Sequence, residues 1–249
     1  MSSLFVNTIK SSTGNTVEIP SGHSLSLAGT IVSSSSLLPS PSGQAGKLVA
    51  SNGSLMNYGE QGAKGIRVFT SSTTYIPSAG TRLAHVRLVG AGGGASGYGE
   101  SGGAGGYAEG FFSMVGVSSV AITVGTGGNA TFYSGSAGTG GTTSFGSLLS
   151  ATGGRGANSS HQHCGGLPGV GSGGNINQFG GGGTGHGYNG RGGNTFFGGP
   201  GAAGHPQGGA FANNHQSHTV PGTGGANGWA TSYPGNVGTT GMVVIWEYA

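Results

Sequence analysis

Between Gly90 and Gly241 lie 51 of this chain's 61 glycines, and no other feature narrows its possible folds as much. Glycine loses more conformational entropy on folding than any other residue and brings no side chain to pack. Residues 178–193, QFGGGGTGHGYNGRGG, hold nine glycines in sixteen positions. About a quarter of the 249 residues are glycine, against a usual share of about 7%. A chain of that composition is ordinarily disordered, because too little apolar surface offsets the ordering entropy. Here the glycine-rich stretch is bracketed by compact apolar runs, Gly65 to Val89 and Gly241 to Ala249, so both of its ends are held.

The bracketing runs read as strands. In RLAHVRLV, Ala84, Val86 and Leu88 alternate with Leu83, His85, Arg87 and Val89, so one face is core-like and the other mixed, as at a sheet or subunit interface. Further strands are predicted at Tyr107 to Val115, Ser119 to Val124, Thr142 to Phe145 and Leu148 to Thr152. The closing Met242 to Tyr248 is apolar on both faces and needs cover on both. It is expected to pair with the early strands. KLVAS and SLMNY flank Asn52-Gly53, a hairpin signal. Upstream, Leu4 to Ile9, Thr16 to Ile19 and Leu25 to Val32 are short β-like runs, followed by a Ser- and Pro-rich linker, 33–46. Helical periodicity is absent. The fold class is all-β: a short N-terminal fibre-like segment, 1–62, then a β-sandwich-like domain, 63–249. Gly-Gly-x spacing holds only locally, as in GGAGGYAEG, so the long loops of that domain are expected to be polyglycine-II-like only locally.

Charge excludes several functions. Eight Lys plus Arg and five Glu, with no Asp, give a net charge of +3 without a basic run. Counterion-release binding to nucleic acid is therefore unsupported. One cysteine, Cys164, allows no intrachain disulfide, and no apolar run reaches the ~18 residues of a membrane span. No secretory signal is visible at the N-terminus, which points to assembly in a cytoplasm.

The run VFTSSTTYIPSAGTRLAHVRLVGAGGGASG, then GGYAEGFFS, VAITVGTGG, GGTTSFGSLLSATGGRG and the closing GMVVIWEY, resembles in order the glycine-rich domain of bacteriophage tail fibres and tail-tip proteins. The segment FVNTIKSSTGNTVEIPSGHSLSLAG is similar to the start of fibre-like proteins from phages of marine cyanobacteria. The resemblance implies a virion protein, a homotrimer, joined through its N-terminal part to other tail or fibre proteins. It also implies a tip that binds a host surface glycan or outer-membrane receptor, without cofactor, catalysis or membrane insertion.

Rigid rings set among Gly, Ser and Asn are the composition of loop-based binding surfaces. The candidate receptor-binding residues are Phe179, His186, Tyr188, Asn189, Arg191, Phe196, Phe197, Asn213, Asn214, Trp229 and Tyr233. The alternative for each ring is packing between glycine helices. Arg155 and Arg191 are lone cations suited to an acidic sugar. His161, His163 and Cys164 have metal-like spacing, and on a trimer axis the histidines would supply six imidazoles; an exposed glycine-rich loop is the plainer alternative. Glu100 and Glu109 are the one pair that a polysaccharide depolymerase could use, and structural roles are the expectation for both. A purely structural fibre or decoration protein is the other alternative.

Overall fold

The computed structural model describes residues 47–51, 56–60, 62–97, 100–132, 135–158, 165–185, 190–199, 220–226 and 235–249, with side chains from residue 62 onward. The chain divides into two compact units, Met1–Ala45 and Gly46–Ala249, and the description concerns the second.

Among the described residues there are twelve strands and no helix of the α type. β1 (Lys47–Ser51) and β2 (Met56–Glu60) form an antiparallel hairpin of their own, as the Asn-Gly signal predicts. The remainder build two five-stranded antiparallel sheets. One has the order β10-β9-β8-β7-β4, from Gly171–Ser172, Leu149–Ala151, Thr143–Phe145, Val120–Thr123 and Thr73–Tyr75. The other has the order β11-β6-β5-β12-β3, from Ile176–Gln178, Tyr107–Ser113, Leu83–Val89, Met242–Tyr248 and Ala63–Phe69. The closing strand β12 lies between β3 and β5, the early strands with which it was expected to pair.

The core sits between the two sheets. Ala84, Val86 and Leu88 are fully buried there with Tyr75, Ile122, Phe145, Leu149, Val243 and Ile245. The Phe145 ring packs 5.7 Å from Tyr75 and 5.9 Å from Phe112. A carboxylate interrupts this apolar row, because Glu247 faces inward and is 2% exposed. Its charge is met on every side. Tyr75 Oη donates to Oε1 at 2.7 Å, Ser78 Oγ to Oε2 at 2.6 Å and the Ser78 N–H to Oε1 at 3.1 Å, with Arg67 Nη1 at 3.8 Å. A buried charge partnered this fully is tolerated where an unpaired one is not.

The glycine-rich segments have the expected polyglycine-II character, and it extends further than the local Gly-Gly-x spacing. They form a continuous lattice of ten short polyglycine-II helices, here g1 (90–96), g2 (100–106), g3 (124–131), g4 (136–142), g5 (152–158), g6 (165–170), g7 (179–185), g8 (190–194), g9 (222–226) and g10 (235–241). The hydrogen bonds repeat every three residues and run between helices. In g1, Gly90 and Gly93 donate to g2, Ala91 and Gly94 to g4, and Gly92 and Ala95 to g10, at 2.9–3.1 Å. The carbonyls of g1 accept in turn from g3, g5 and g9. Helix g2 likewise donates to g5, g7 and g9 and accepts from g1, g6 and g8. Two central helices thus have six neighbours each, and the bonds among those neighbours close a hexagonal array in three rows: g4-g5-g6, g3-g1-g2-g7 and g10-g9-g8.

Sequence explains the array position by position. Residues 90–97 and 100–106 are buried throughout, and apart from Glu100 they are Gly, Ala and Ser. A β-carbon added to Gly92 would lie 1.8 Å from the Thr223 carbonyl oxygen, and one on Gly102 2.0 Å from that of Gly93. On outer helices every third residue points to water: Ser136, Thr139 and Thr142 on g4, and Thr152 and Arg155 on g5. The long glycine-rich loops expected of the domain therefore contain all ten lattice helices, together with β10 and β11, which were not foreseen. Gly92→Ala is expected to destabilise the domain by about 3 kcal/mol or more, since backbone must move to admit the methyl group. Gly182→Ala, whose β-carbon meets nothing closer than 3.8 Å, should leave the thermal unfolding midpoint nearly unchanged.

Candidate functional site

Each sheet strand next to the lattice continues directly into a helix. β5 runs into g1, which turns back as g2 into β6; β7, g3, g4 and β8 repeat the path, as do β9, g5, g6 and β10. The helices therefore come in antiparallel pairs that reverse at the end remote from the sheets. Bonds between these ends place them at one level. The Gly97 N–H donates to Thr131 O at 3.0 Å, Ser101 N–H to Thr184 O at 3.0 Å, Thr184 N–H to Arg191 O at 3.2 Å, and Gly235 N–H to Thr131 O at 3.2 Å. The residues joining the paired ends, 98–99, 133–134, 159–164, 186–189 and 227–234, lie outside the described residues.

The predicted receptor-binding residues separate into groups on this frame. Arg191 is exposed at the remote end, where g8 begins. Phe179 is 72% exposed, but at the sheet end of g7, beside Val170. Phe196 and Phe197 are also at the sheet end, in a turn closed by Thr195 and Gly198. There Phe196 stacks on Tyr107 with centroids 3.9 Å apart, and Phe197 meets both rings edge-on at 6.1 and 5.6 Å. Phe196 covers Tyr107 while itself 52% exposed, and the structure does not bring the two rings together with Arg191. His186, Tyr188, Asn189, Asn213, Asn214, Trp229 and Tyr233 lie outside the described residues, as do His161, His163 and Cys164. Arg155 is exposed on the outward side of g5.

The remote end also encloses two polar groups, Glu100, which the sequence marks only as one of five acids, and Asn236. Glu100 is fully buried there, accepting a short hydrogen bond from Ser96 Oγ. The Asn236 side-chain nitrogen is enclosed without a hydrogen-bond partner. Neither position carries a sequence signal, because burial of an acid or an amide in a glycine lattice depends on the register of all ten helices.

Glu109 belongs to a different place. It lies on β6, on the outward face of its sheet, where its carboxylate is 2.6 Å from His85 Nε2 and 3.2 Å from Arg87 Nε and accepts from Tyr107 Oη at 2.5 Å. Six polyglycine-II residues at ~3.1 Å and three strand residues at ~3.3 Å separate Glu100 from Glu109, about 28 Å in all. Glycosidase carboxylates stand at most about 9.5 Å apart, so the two do not form the pair that a depolymerase would need. Among the described residues no three His, Cys, Asp or Glu side chains converge on a point.

A two-sheet sandwich prolonged into a lattice of glycine helices is the setting for the family comparison. The model of the family described as glycine-rich domain matches residues 67–246, from β3 to β12. The chain belongs to this family. The matched span takes in both five-stranded sheets and all ten lattice helices, so strands and helices are one glycine-rich domain and not a sandwich with an appendage. No curated protein matches the chain.

Titration of this glycine-rich domain is dominated by two carboxylates. Burial pushes both Glu109 and Glu247 upward, but hydrogen bonds outweigh it and hold each below the usual carboxylate range. Hydrogen bonds from Tyr107, His85 and Arg87 do so for Glu109, and hydrogen bonds from Ser78 and Tyr75 do so for Glu247, where the positive charge of Arg67 adds to them. The phenols of Tyr75 and Tyr107 are pushed up by burial and by the carboxylates they bond. A depressed folded-state value means stability present in full above the unfolded-state pKa, about 4.3 for Glu, and lost as pH falls through the folded value. Thermal melts from pH 7 to pH 2.5 should therefore show a midpoint that drops below about pH 4. Glu247→Gln should start lower at pH 7 and drop less.

Proposed function

We propose that this chain is the host-binding protein of a bacteriophage tail fibre. On this reading residues 1–62 join the virion and trimerise, and residues 63–249 form the tip that binds a host glycan or outer-membrane component. The observation that carries the reading is the common level of the helix ends: five antiparallel helix pairs reverse direction at the end of the lattice remote from the sheets. Backbone hydrogen bonds hold that platform, so the residues that join the ends can vary without disturbing it, as binding loops on a rigid scaffold do.

The candidate residues His186, Tyr188 and Asn189 fall in sequence between g7 and g8, and Trp229 and Tyr233 between g9 and g10; Arg191 stands at the platform's edge. Rings, amides and one guanidinium recognise sugars by stacking and adaptable hydrogen bonds, without covalent chemistry or a cofactor. Weak sites repeated over three chains gain avidity through effective concentration. The protein acts as part of the virion, in a non-enzymatic role.

A second reading, a purely structural fibre component, draws on Phe196 and Phe197, which pack against Tyr107. Labelled full-length protein incubated with a panel of bacterial cells, marine cyanobacteria included, separates the two. The adhesin reading expects saturable binding to some strains. It also expects Tyr188→Ala with Arg191→Ala to weaken that binding at least tenfold with no change in the melting temperature. Protein that binds no strain and does not compete with phage for adsorption would favour the structural role.

A further inference from the structure

The outward faces of the two sheets differ in kind. On the β10-β9-β8-β7-β4 sheet the outward residues are Thr74, Ala121, Thr123, Ser144, Ser150 and Ser172, small and mostly hydroxylic, as a face kept in water should be. On the β11-β6-β5-β12-β3 sheet the register aligns Ile66, Trp246, His85 and Phe111 in one cross-strand row, and Val68, Val244, Arg87, Glu109 and Ile176 in the next. Ile66, Val68 and Phe111 are each more than half exposed, and Ile176 and Leu83 over a third. Large apolar residues repeated across five strands are not the scattered exposure that any surface shows.

The chain covers part of this face itself. At the lattice end Phe196 lies on Tyr107, and a β-carbon on Gly222 would meet Val89 Cγ2 at 2.6 Å. Beyond that row the rings form a fixed ridge. His85 stacks on Phe111 at 4.3 Å with planes 11° apart and on Trp246 at 5.1 Å, and the Arg87 guanidinium lies 4.9 Å from the Trp246 centroid. A ridge already ordered loses little side-chain freedom when something packs on it. Charge at its centre is internally compensated, since Arg87 and Glu109 pair at 3.2 Å.

We infer that the outward face of the β11-β6-β5-β12-β3 sheet, centred on Val68, Trp246 and Phe111, is a self-association surface that packs against the same face of a second copy of this chain. A face without net charge at its centre has no preference for an acidic or a basic partner, and the matching surface is another flat, twisted, apolar sheet face at the ~10 Å spacing of stacked sheets. Each copy supplies such a face, and the opposite sheet does not. Five strands at ~4.8 Å spacing and about five uncovered residues at ~3.3 Å give a plan area near 400 Å². Allowing for side-chain relief, two copies would enclose on the order of 1,000 Å², the lower bound of a specific interface. Edge pairing through β3 is the poorer alternative, because Lys64 and Arg67 occupy that edge. Packing of one face on the same face of another copy is a two-fold contact, so the inference adds a pairing of glycine-rich domains to the tail-fibre reading and is separate from the three-fold association assigned there to residues 1–62.

Full-length protein with Cys164→Ser and a single new cysteine tests it. Val68→Cys should give covalent dimers with a short bis-maleimide, while Thr123→Cys on the opposite sheet should give at least tenfold less. Phe111→Asp added to Val68→Cys should abolish the cross-link with the circular dichroism spectrum and melting temperature retained; Ile66→Lys replaces it if that variant does not fold. Equal or absent cross-linking at the two positions overturns the inference, as does cross-linking that survives every charged substitution on a folded protein. Cell binding by the wild type, measured separately, reports on the adhesin reading, so the two fail independently.

Discussion

The hydrogen bond between backbones of neighbouring three-residue helices is what the rest of this structure depends on. A polyglycine-II helix makes no bond within itself, so each N–H and C=O must find a partner in another segment. The hexagonal array supplies those partners around g1 and g2, where donors leave in three directions and acceptors receive from the other three. This arrangement needs the backbones to approach until a β-carbon on Gly92 or Gly127 would lie 1.8 Å from a carbonyl oxygen. Glycine is thus required by contact distance at the centre of the lattice and not by unusual dihedral angles. The lattice glycines with positive φ are few, and Gly222, at the start of g9, is one.

A lattice of helices only about two turns long cannot hold its own ends, and the sandwich performs that task. Strands β5, β6 and β12 and their helices g1, g2 and g10 are continuous stretches of chain, so strand register sets helix register. The apolar core between the sheets supplies the cooperative term that separate glycine helices lack. The Tyr75–Glu247–Ser78 cluster ties the closing strand to β4 of the opposite sheet, across 172 residues of sequence. Entropy lost by the glycines is offset jointly, by backbone bonds in the lattice and by burial in the sandwich.

The strands were legible in the sequence because their signal is local. Ala84, Val86 and Leu88 alternate within one strand, and β12 shows two apolar faces in seven residues, of which the one with Val243 and Ile245 is covered by the core. The lattice was not, because its phase restarts at each reversal and at each sheet, leaving windows of six or seven residues in which Ala, Ser and Thr replace Gly. Ala95 and Ala104 sit buried in the central helices, so a strict Gly-Gly-x template misses them. For Phe196 and Phe197, an aromatic pair between glycines carries no sign of what lies beneath it. Tyr107, eighty-nine residues earlier than Phe196, lies beneath it. Glu109 was noticed as an acid, but its partners His85 and Arg87 come from the neighbouring strand, and only the β5–β6 register pairs Arg87 with Glu109.

The two ends of the domain therefore answer to different physical demands. At the remote end the backbone lattice satisfies itself and only a few side chains, Ser96 and Glu100 among them, are enclosed, so exposed ones such as Arg191 are open to change. At the sheet end the outward face of β11-β6-β5-β12-β3 carries large rings that the sandwich does not need for its core, since Val86, Leu88, Val243 and Ile245 fill that role from the other face. A chain with so few charges, five acids and eight bases in 249 residues, relies on hydroxyls, amides and backbone to stay soluble. Its hydroxyl-bearing sheet and the threonine-lined outer helices fit that reliance. A row of Ile66, Trp246 and Phe111 on the same molecule does not, and a surface that covered it would remove large apolar side chains from water.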